Sequence, residues 1–510
     1  MKNLFNVFLI LSLVCFSPLQ SQKKSPDLKS LDRYIEKALK DWDVPGLAIA
    51  IVKDDSVVFA KGYGVKTIGR NEPVDTHTLF AIASLSKAFT SASLGMLVEE
   101  GKLKWNDKVT NFVPYFQLYD PYATREMTVR DLLCHRSGLV TFGGDLIWYG
   151  TNYSRKEVIE RIRFLKPKYS FRSAYGYQNI MFITAGEVLL NITGKTWDEF
   201  VKERIFNPLG MNETNTSVTS SFTNIATPHT EYNGKLITIP YRNVDNCGSA
   251  AAINSNVSDL SKWMKMWLSS DSGKSLISSP TKHEIWTPHT IIPVSEASMK
   301  NIPSRHFSSA ALGWFAFDYQ GKKILDHGGG MDGMISKICL VPEDNIGFVI
   351  LTNSISGLSS ALQYKILDLY LGGKDRDWCG ERLKIVKEYK TKQLAADMKK
   401  QDERAKNTKP SLPLEQYTGL YGGPMYGNVK VDLENGNLLA RFLPTASFVG
   451  DMRHWHYNTF EIELRDPNLP KGMVNFILDA DGKVTEMKVD IPNPDFDFTE
   501  LELKRLPGSK

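Results

Sequence analysis

Ser84 and Lys87 stand three residues apart in AIASLSKAFTSASLGMLVEEG, and no other pair in the chain carries as strong a chemical signal. A serine hydroxyl is a poor nucleophile until a neighbouring group takes its proton. On a helix, an amine three positions later shares the hydroxyl's face and can reach its oxygen. A helix beginning near Ser84 would add its free N–H groups and positive dipole end to the reacting centre. The pair therefore fits acyl transfer by a lysine-activated serine. The spacing alone is weakly diagnostic, because Ser-x-x-Lys also occurs at Ser21 and Ser279. Only Ser84 leads into a long helical apolar pattern (Phe89, Leu94, Leu97, Val98). Ser21 lies in a processing region, and Ser279 is followed by Pro280.

Two further segments could complete such a centre. In SAYGYQNIMF, an extended backbone would point Tyr177 and Asn179 into one cleft. A nearby lysine ammonium would favour the Tyr177 phenolate as a proton shuttle, and Asn179 could hold the lysine or a substrate amide. Tyr-x-Asn also occurs at Tyr241 and Tyr426, where simple packing is the competing reading. After the strand-like KKILD comes His327-Gly328-Gly329-Gly330, where side-chain-free backbone lets a substrate lie along a strand edge. An N–H there and that of Ser84 could form an oxyanion hole. The competing reading is a glycine-rich turn with a surface histidine. His454 and His456 could share a strand face for a metal, but no third ligand is apparent and barrel packing is the preferred reading. Neither a Gly-x-Ser-x-Gly elbow nor a P-loop nor H-E-x-x-H occurs.

These residues need elements to hold them. The 45–64 segment reads as a hairpin turning at Asp54-Asp55, and 311–353 as several strands followed by a helix. Helical patterns fill the middle from Ser84 to about Trp267. The two strand-rich ends are expected to meet in one antiparallel sheet carrying helices. Residues 373–412 are charged and read as a solvated linker helix, with partner binding as a lesser alternative. From 413 to 505 short strands recur, with hairpin turns at Asn435-Gly436 and Asp481-Gly482, as in a small antiparallel barrel or sandwich. The charged, Pro-ended linker suggests that this last segment is separable.

The chain has 510 residues, 42% hydrophobic, with a net charge of +5. No basic stripe with interleaved aromatics points to nucleic acid. Residues 1–21 read as a signal peptide, so a secreted or periplasmic address is expected, without an integral membrane segment. A lipid anchor at Cys15 is disfavoured by Val14 before it. Cys134, Cys247, Cys339 and Cys379 would remain; export permits disulfides, and four buried free thiols is the favoured reading. Asn152, Asn191, Asn212, Asn215 and Asn256 begin sequons that matter only in a glycosylating secretory pathway.

Taken in order, Ser84-Lys87, Tyr177-Asn179 and His327-Gly329 resemble the serine β-lactamase and penicillin-binding protein superfamily, nearest its class C β-lactamase-like branch with DD-peptidases and esterases. DLLCHRSGL (131–139), the 183–211 and 248–264 stretches and HGGGMDGMISKICLVPEDNIGFVILTN (327–353) add to the likeness, which covers roughly residues 28–372. The resemblance implies an α+β fold: an antiparallel sheet flanked by helices plus a helical domain, with the active site between them. The final strands look like the lipocalin-like barrel appended to some members. By position, Ser84 would be acylated, Lys87 its base, Tyr177 the proton shuttle and Asn179 a ligand of lysine and substrate. His327 and Gly329 would form the third motif, and the Gly330 and Ser84 N–H groups the oxyanion hole. The Ser-Asp-Asn element of class A enzymes is absent, and His-Gly-Gly replaces the class C Lys-Thr-Gly. At an ordinary pKa of about 6.5, His327 would change charge near neutrality and read a substrate carboxylate better at low pH. The implied activity is a cofactor-free, metal-free serine hydrolase cleaving amides or esters through an acyl-enzyme. D-amino-acid or cell-wall-derived peptides rank first, esters second and β-lactams third. A covalent penicillin-binding sensor with little turnover, or a noncatalytic scaffold acting through the barrel, are the alternatives. Oligomeric state is not legible.

Overall fold

The computed structural model describes residues 26–508 except 221–222 and 272. The expected signal peptide, with Cys15 and Ser21, lies outside the described residues. Among those described, no helix is long and apolar enough to cross a membrane.

The two strand-rich ends join in one eight-stranded antiparallel sheet. Its strands are β1 (Gly46–Lys53), β2 (Ser56–Gly64), β3 (Thr290–Ile291), β4 (Ser308–Ala310), β5 (Phe315–Tyr319), β6 (Lys322–Met331), β7 (Met334–Val341) and β8 (Ile346–Thr352). They run in the order β2-β1-β8-β7-β6-β5-β4-β3. The β1–β2 turn places Asp54 and Asp55 at φ 50° and 62°, the left-handed conformation that Asp tolerates and a tight hairpin requires. Every side chain of β1 up to Val52 is buried, because the sheet is covered on both faces. Leu47, Ile49 and Ile51 pack with helices α1 (Leu28–Asp41) and α6 (Leu358–Leu371), whereas Ala48, Ala50 and Val52 face the helical domain.

Three helices organise that domain: α2 (Ser86–Glu99), α3 (Ile180–Thr193) and α4 (Val257–Leu268). The short helix α5 (Ser279–Ile285) packs beside α2. Helices α2 and α3 are buried almost all round over their first ten residues, as expected of helices at a domain's centre. Phe89 of α2 stacks on Trp263 of α4 with ring centroids 3.9 Å apart. Cys134, Cys247, Cys339 and Cys379 are buried free thiols.

Helix α7 (Trp378–Asp402) carries the charged linker and is solvated beyond Trp378 and Cys379. After it, eight strands close into a barrel: β9 (Gly419–Gly423), β10 (Gly427–Glu434), β11 (Asn437–Phe442), β12 (Val449–His456), β13 (Thr459–Leu464), β14 (Gly472–Leu478), β15 (Val484–Asp490) and β16 (Leu503–Arg505). In β10 the pleat sends Val429 and Val431 inward and Lys430 outward, with Phe442 and Ala440 opposite them on β11. The interior is packed with side chains, among them Tyr417, Tyr421, Phe460 and Phe476. One hydrophobic core runs without a break from the helical domain into the barrel.

Candidate active site

Ser84 occupies a single 3-10 turn, Ala83–Leu85, immediately before α2. The approach is pinned. Phe80 and Ala81 pair with Ser255 and Asn254, and the Ile82 N–H donates to the Ile253 carbonyl at 2.9 Å. Ala83 then takes φ 47°, a left-handed conformation that costs a residue with a Cβ on the order of 1–3 kcal/mol. This strained step turns the Ser84 side chain toward Lys87, whose Nζ lies 3.0 Å from Ser84 Oγ.

Lys87 is fully buried. Its amine also donates to Asn179 Oδ1 at 2.7 Å and to the Ala250 carbonyl at 3.0 Å. Burial pushes its pKa down to about 7, against the pull of Cys247 and Asp145. The amine stands 4.8 Å from the centre of the Tyr177 ring, and the Ser84 side chain also acts on the Tyr177 phenol. Burial drives the Tyr177 phenol well above its ordinary value, outweighing the lowering influence of the Ser84 hydroxyl. Desolvation therefore decides against the expected phenolate, and the hydroxyl stays protonated at neutral pH. The extended Tyr-x-Asn geometry is also replaced: Asn179 is helical (φ −83°, ψ −39°) and forms the first step into α3.

His327 projects from β6 beside Tyr177, ring centres 6.1 Å apart. Its Nδ1 lies 2.6 Å from the Gly328 carbonyl, which places the proton on Nδ1. Nε2 is then an acceptor, and among the described residues it is buried without a hydrogen-bond partner. Burial, reinforced by Lys87, pushes this imidazole down to about 3. The expected charge change near neutrality is thereby overturned, and with it the expected reading of a carboxylate by charge. Among the described residues, β5 pairs with β6 only as far as Asp326, so the backbone from His327 to Met331 has no strand on that side. Gly329 is required by space: a Cβ there would stand 2.2 Å from the Ile82 carbonyl oxygen and 3.1 Å from the Ser84 nitrogen. Gly330 is exposed, and a Cβ on it would meet only Ile335, at 3.6 Å.

Ser84, Lys87, Tyr177, Asn179, His327, Gly329 and Gly330 thus converge where the sheet meets the helical domain. The beta-lactamase family matches residues 31–369 of the sequence. The chain belongs to the beta-lactamase family. A Domain of unknown function (DUF3471) matches residues 403–505, which include the barrel. The unguisins hydrolase of Aspergillus campestris is 30% identical over 430 residues, covering 78% of this chain and 76% of the relative. Protein flp of Staphylococcus aureus is 26% identical over 333 residues, covering 64% of this chain and 63% of that one. The octameric penicillin-binding protein homologue from Pyrococcus abyssi superposes with a TM-score of 0.60 at 21% identity, over 94% of this chain and 100% of the other. A D-stereospecific amidohydrolase from Streptomyces sp. gives 0.55 at 21% identity, over 68% of this chain and 100% of the other. At those identities the last two share the fold.

Within this beta-lactamase family member, three groups at the centre escaped the sequence reading. Asp145 accepts from Asn179 Nδ2 at 2.6 Å and from Trp148 Nε1 at 2.8 Å, and burial raises its carboxyl to about 8. His135 adopts φ 58°, stacks on Tyr177 with centroids 4.3 Å apart, and accepts the Gln178 N–H on Nδ1. The third is the Ala250 carbonyl on Lys87. The competing motifs do other work. The Tyr241 hydroxyl donates to the Ala226 carbonyl and the Tyr426 hydroxyl to Thr445 Oγ1. His454 Nε2 lies 3.1 Å from the Tyr457 carbonyl. Among the described residues no group of three or more His, Cys, Asp or Glu could hold a metal ion.

Proposed function

We propose that this chain is an exported serine hydrolase that cleaves amide or ester bonds through an acyl-enzyme on Ser84. One observation carries the reading: a water-excluded lysine amine 3.0 Å from a serine hydroxyl at a helix start. A neutral amine has two N–H groups and one lone pair. Asn179 Oδ1 and the Ala250 carbonyl take the two N–H groups, which leaves the lone pair for the Ser84 proton. A pKa of about 7 keeps a large share of Lys87 in that base form near neutrality.

In the proposed cycle Lys87 accepts the Ser84 proton as Oγ attacks the carbonyl. The Ser84 and Gly330 N–H groups receive the developing oxyanion. The Tyr177 hydroxyl, kept protonated by burial, passes a proton to the leaving group and is reprotonated from Lys87. Water then enters by the reverse route. The unpaired edge of β6 offers backbone partners to an extended substrate. His327 is neutral, so its Nε2 offers a hydrogen-bond acceptor where class C enzymes offer a cation.

This favours neutral amides and esters over β-lactams, whose carboxylate would find no imidazolium. D-amino-acid peptides rank first, in keeping with an unguisins hydrolase and a D-stereospecific amidohydrolase among the proteins this chain resembles. The test is intact-mass analysis after exposure to a fluorophosphonate and to penicillin, followed by turnover of D-peptide amides and p-nitrophenyl esters. Rapid fluorophosphonate labelling with turnover of neutral substrates is expected. Acylation without turnover of any of them would leave a covalent sensor in place of the enzyme.

A further inference from the structure

The barrel touches the hydrolase domain at its most sensitive loop. Residues 140–149 run between Tyr177 and α3 on one side and the barrel on the other. The Phe142 N–H donates to the Tyr177 carbonyl at 2.8 Å, and the two rings meet edge to face at 5.3 Å. Gly143 and Gly144 follow, a pair with little conformational preference of its own. Gly144 takes φ 79°, and its N–H donates to Glu500 Oε2 at 2.9 Å. Glu500 ends the short 3-10 turn Phe498–Glu500 that precedes β16. The next loop residue is Asp145, which holds Asn179, which holds Lys87. A continuous line therefore runs from a barrel carboxylate to the amine beside Ser84: Glu500, Gly144, Asp145, Asn179, Lys87.

We propose that Glu500 is a positioning residue for acylation: by fixing the Gly144 amide it holds Asp145 where Asn179 keeps the Lys87 amine on Ser84. The inference rests on the serine-hydrolase reading above. A charge-assisted hydrogen bond to backbone is strong enough to select one conformation of a Gly-Gly segment. Without it the loop can relax and admit water, and the desolvation that lowers the Lys87 pKa weakens. The groups that face Lys87 are Asp145 and Cys247 by charge, Tyr177 by its ring, and His135 and His327, whose imidazoles it depresses. Glu500 itself is raised to about 7, by burial first and by Asp497 last, against the bond from Gly144. On this account the barrel, which the charged linker suggests is separable, is part of the catalytic unit.

The test is the pH dependence of Ser84 acylation by a fluorophosphonate, and of ester turnover, in full-length variants. E500A should slow acylation by about tenfold to a hundredfold, the scale of a small misplacement of reacting groups. KM should change little. The acid limb should move up by about half a pH unit or more, toward the ordinary lysine value. E500Q keeps an acceptor for the Gly144 N–H and should restore most of the rate and the wild-type limb. E500D withdraws the acceptor by one methylene and serves as a milder break if E500A does not accumulate folded. E502A, at the exposed Lys166–Glu502 ion pair on the same interface, should leave rate and limb unchanged. An E500A or E500D protein that loses thermal stability but keeps the wild-type rate and pH profile would overturn the inference. So would an E500Q protein no better than E500A. Wild-type protein that fails to label at Ser84 would instead remove the hydrolase reading itself.

Discussion

Two segments of this molecule share one spacing and one physical consequence, yet only one has the geometry for chemistry. Ser84-Lys87 stands at the start of α2 and Ser279-Lys282 at the start of α5. Both lysines are buried, and burial lowers Lys87 to about 7 and Lys282 to about 8. The difference lies in where the amine goes. Lys282 donates to the Met266 and Ser269 carbonyls, each at 2.7 Å, tying the end of α4 to α5, while Ser279 is exposed. Lys87 meets a serine hydroxyl forced toward it by the left-handed step at Ala83, and its other bonds go to Asn179 and Ala250. A depressed lysine pKa is therefore a mark of burial. The partner of the lone pair decides whether it is also a mark of catalysis.

The sharpest break of this contrast is S84A, expected to abolish p-nitrophenyl ester turnover while leaving the thermal midpoint in place, since one small oxygen is lost. Turnover surviving in S84A would move the chemistry elsewhere. K87A and Y177F should each lower turnover by about 10²–10⁴, the range for general acid–base groups. Their double mutant should fall well short of the summed free energies, because both serve one proton path. In wild type the same rate should rise with pH below about 7 and level off above it, as Lys87 loses its proton. K282M should not change turnover at all.

The glycines extend the comparison to the opposite wall. G329A drives a Cβ into the Ile82 carbonyl beside Ser84 and should cost about tenfold or more in acylation rate. G330A makes only an ordinary van der Waals contact with Ile335 and should stay near wild type; equal losses in both would show that packing at Gly329 is not what matters. K282M should cost about 1–3 kcal/mol in denaturant unfolding, because the buried Met266 carbonyl and the half-buried Ser269 carbonyl lose their donor. The smallest expected effect is at His327. With the imidazole near 3, KM for acidic and neutral esters should run parallel between pH 6 and 8. A selective weakening of the acidic ester across that range would restore the charge-reading histidine.

Much of this was legible in the sequence. Asp54-Asp55 and Asn435-Gly436 marked their turns because few residues tolerate positive φ. The sheet that joins the chain's two ends followed from strand patterns on either side of a helical middle. Ser84, Lys87, Tyr177, Asn179 and His327 stand out in the sequence because their types, spacing and order are distinctive, and the fold brings them together. Asp145 was not, since a lone aspartate in GGDLIW has no periodic or motif signature. His135 lies within DLLCHRSGL, yet its stacking on Tyr177 is set by a turn more than forty residues away in sequence. A carbonyl such as that of Ala250 leaves no residue-type signal. The Tyr177 phenol runs against the expected direction, and His327 departs from its ordinary value, for one reason: sequence shows which charges can be near, whereas desolvation, the larger effect at both, depends on packing.

The central claim is that Ser84, and not the equally spaced Ser279, is the acylated residue. Peptide mapping by mass spectrometry of the wild-type protein after fluorophosphonate treatment addresses it directly. A single adduct is predicted, on the peptide containing Ser84, forming faster at pH 8 than at pH 6. An adduct on the Ser279 peptide, or no adduct on folded protein at either pH, would contradict the account.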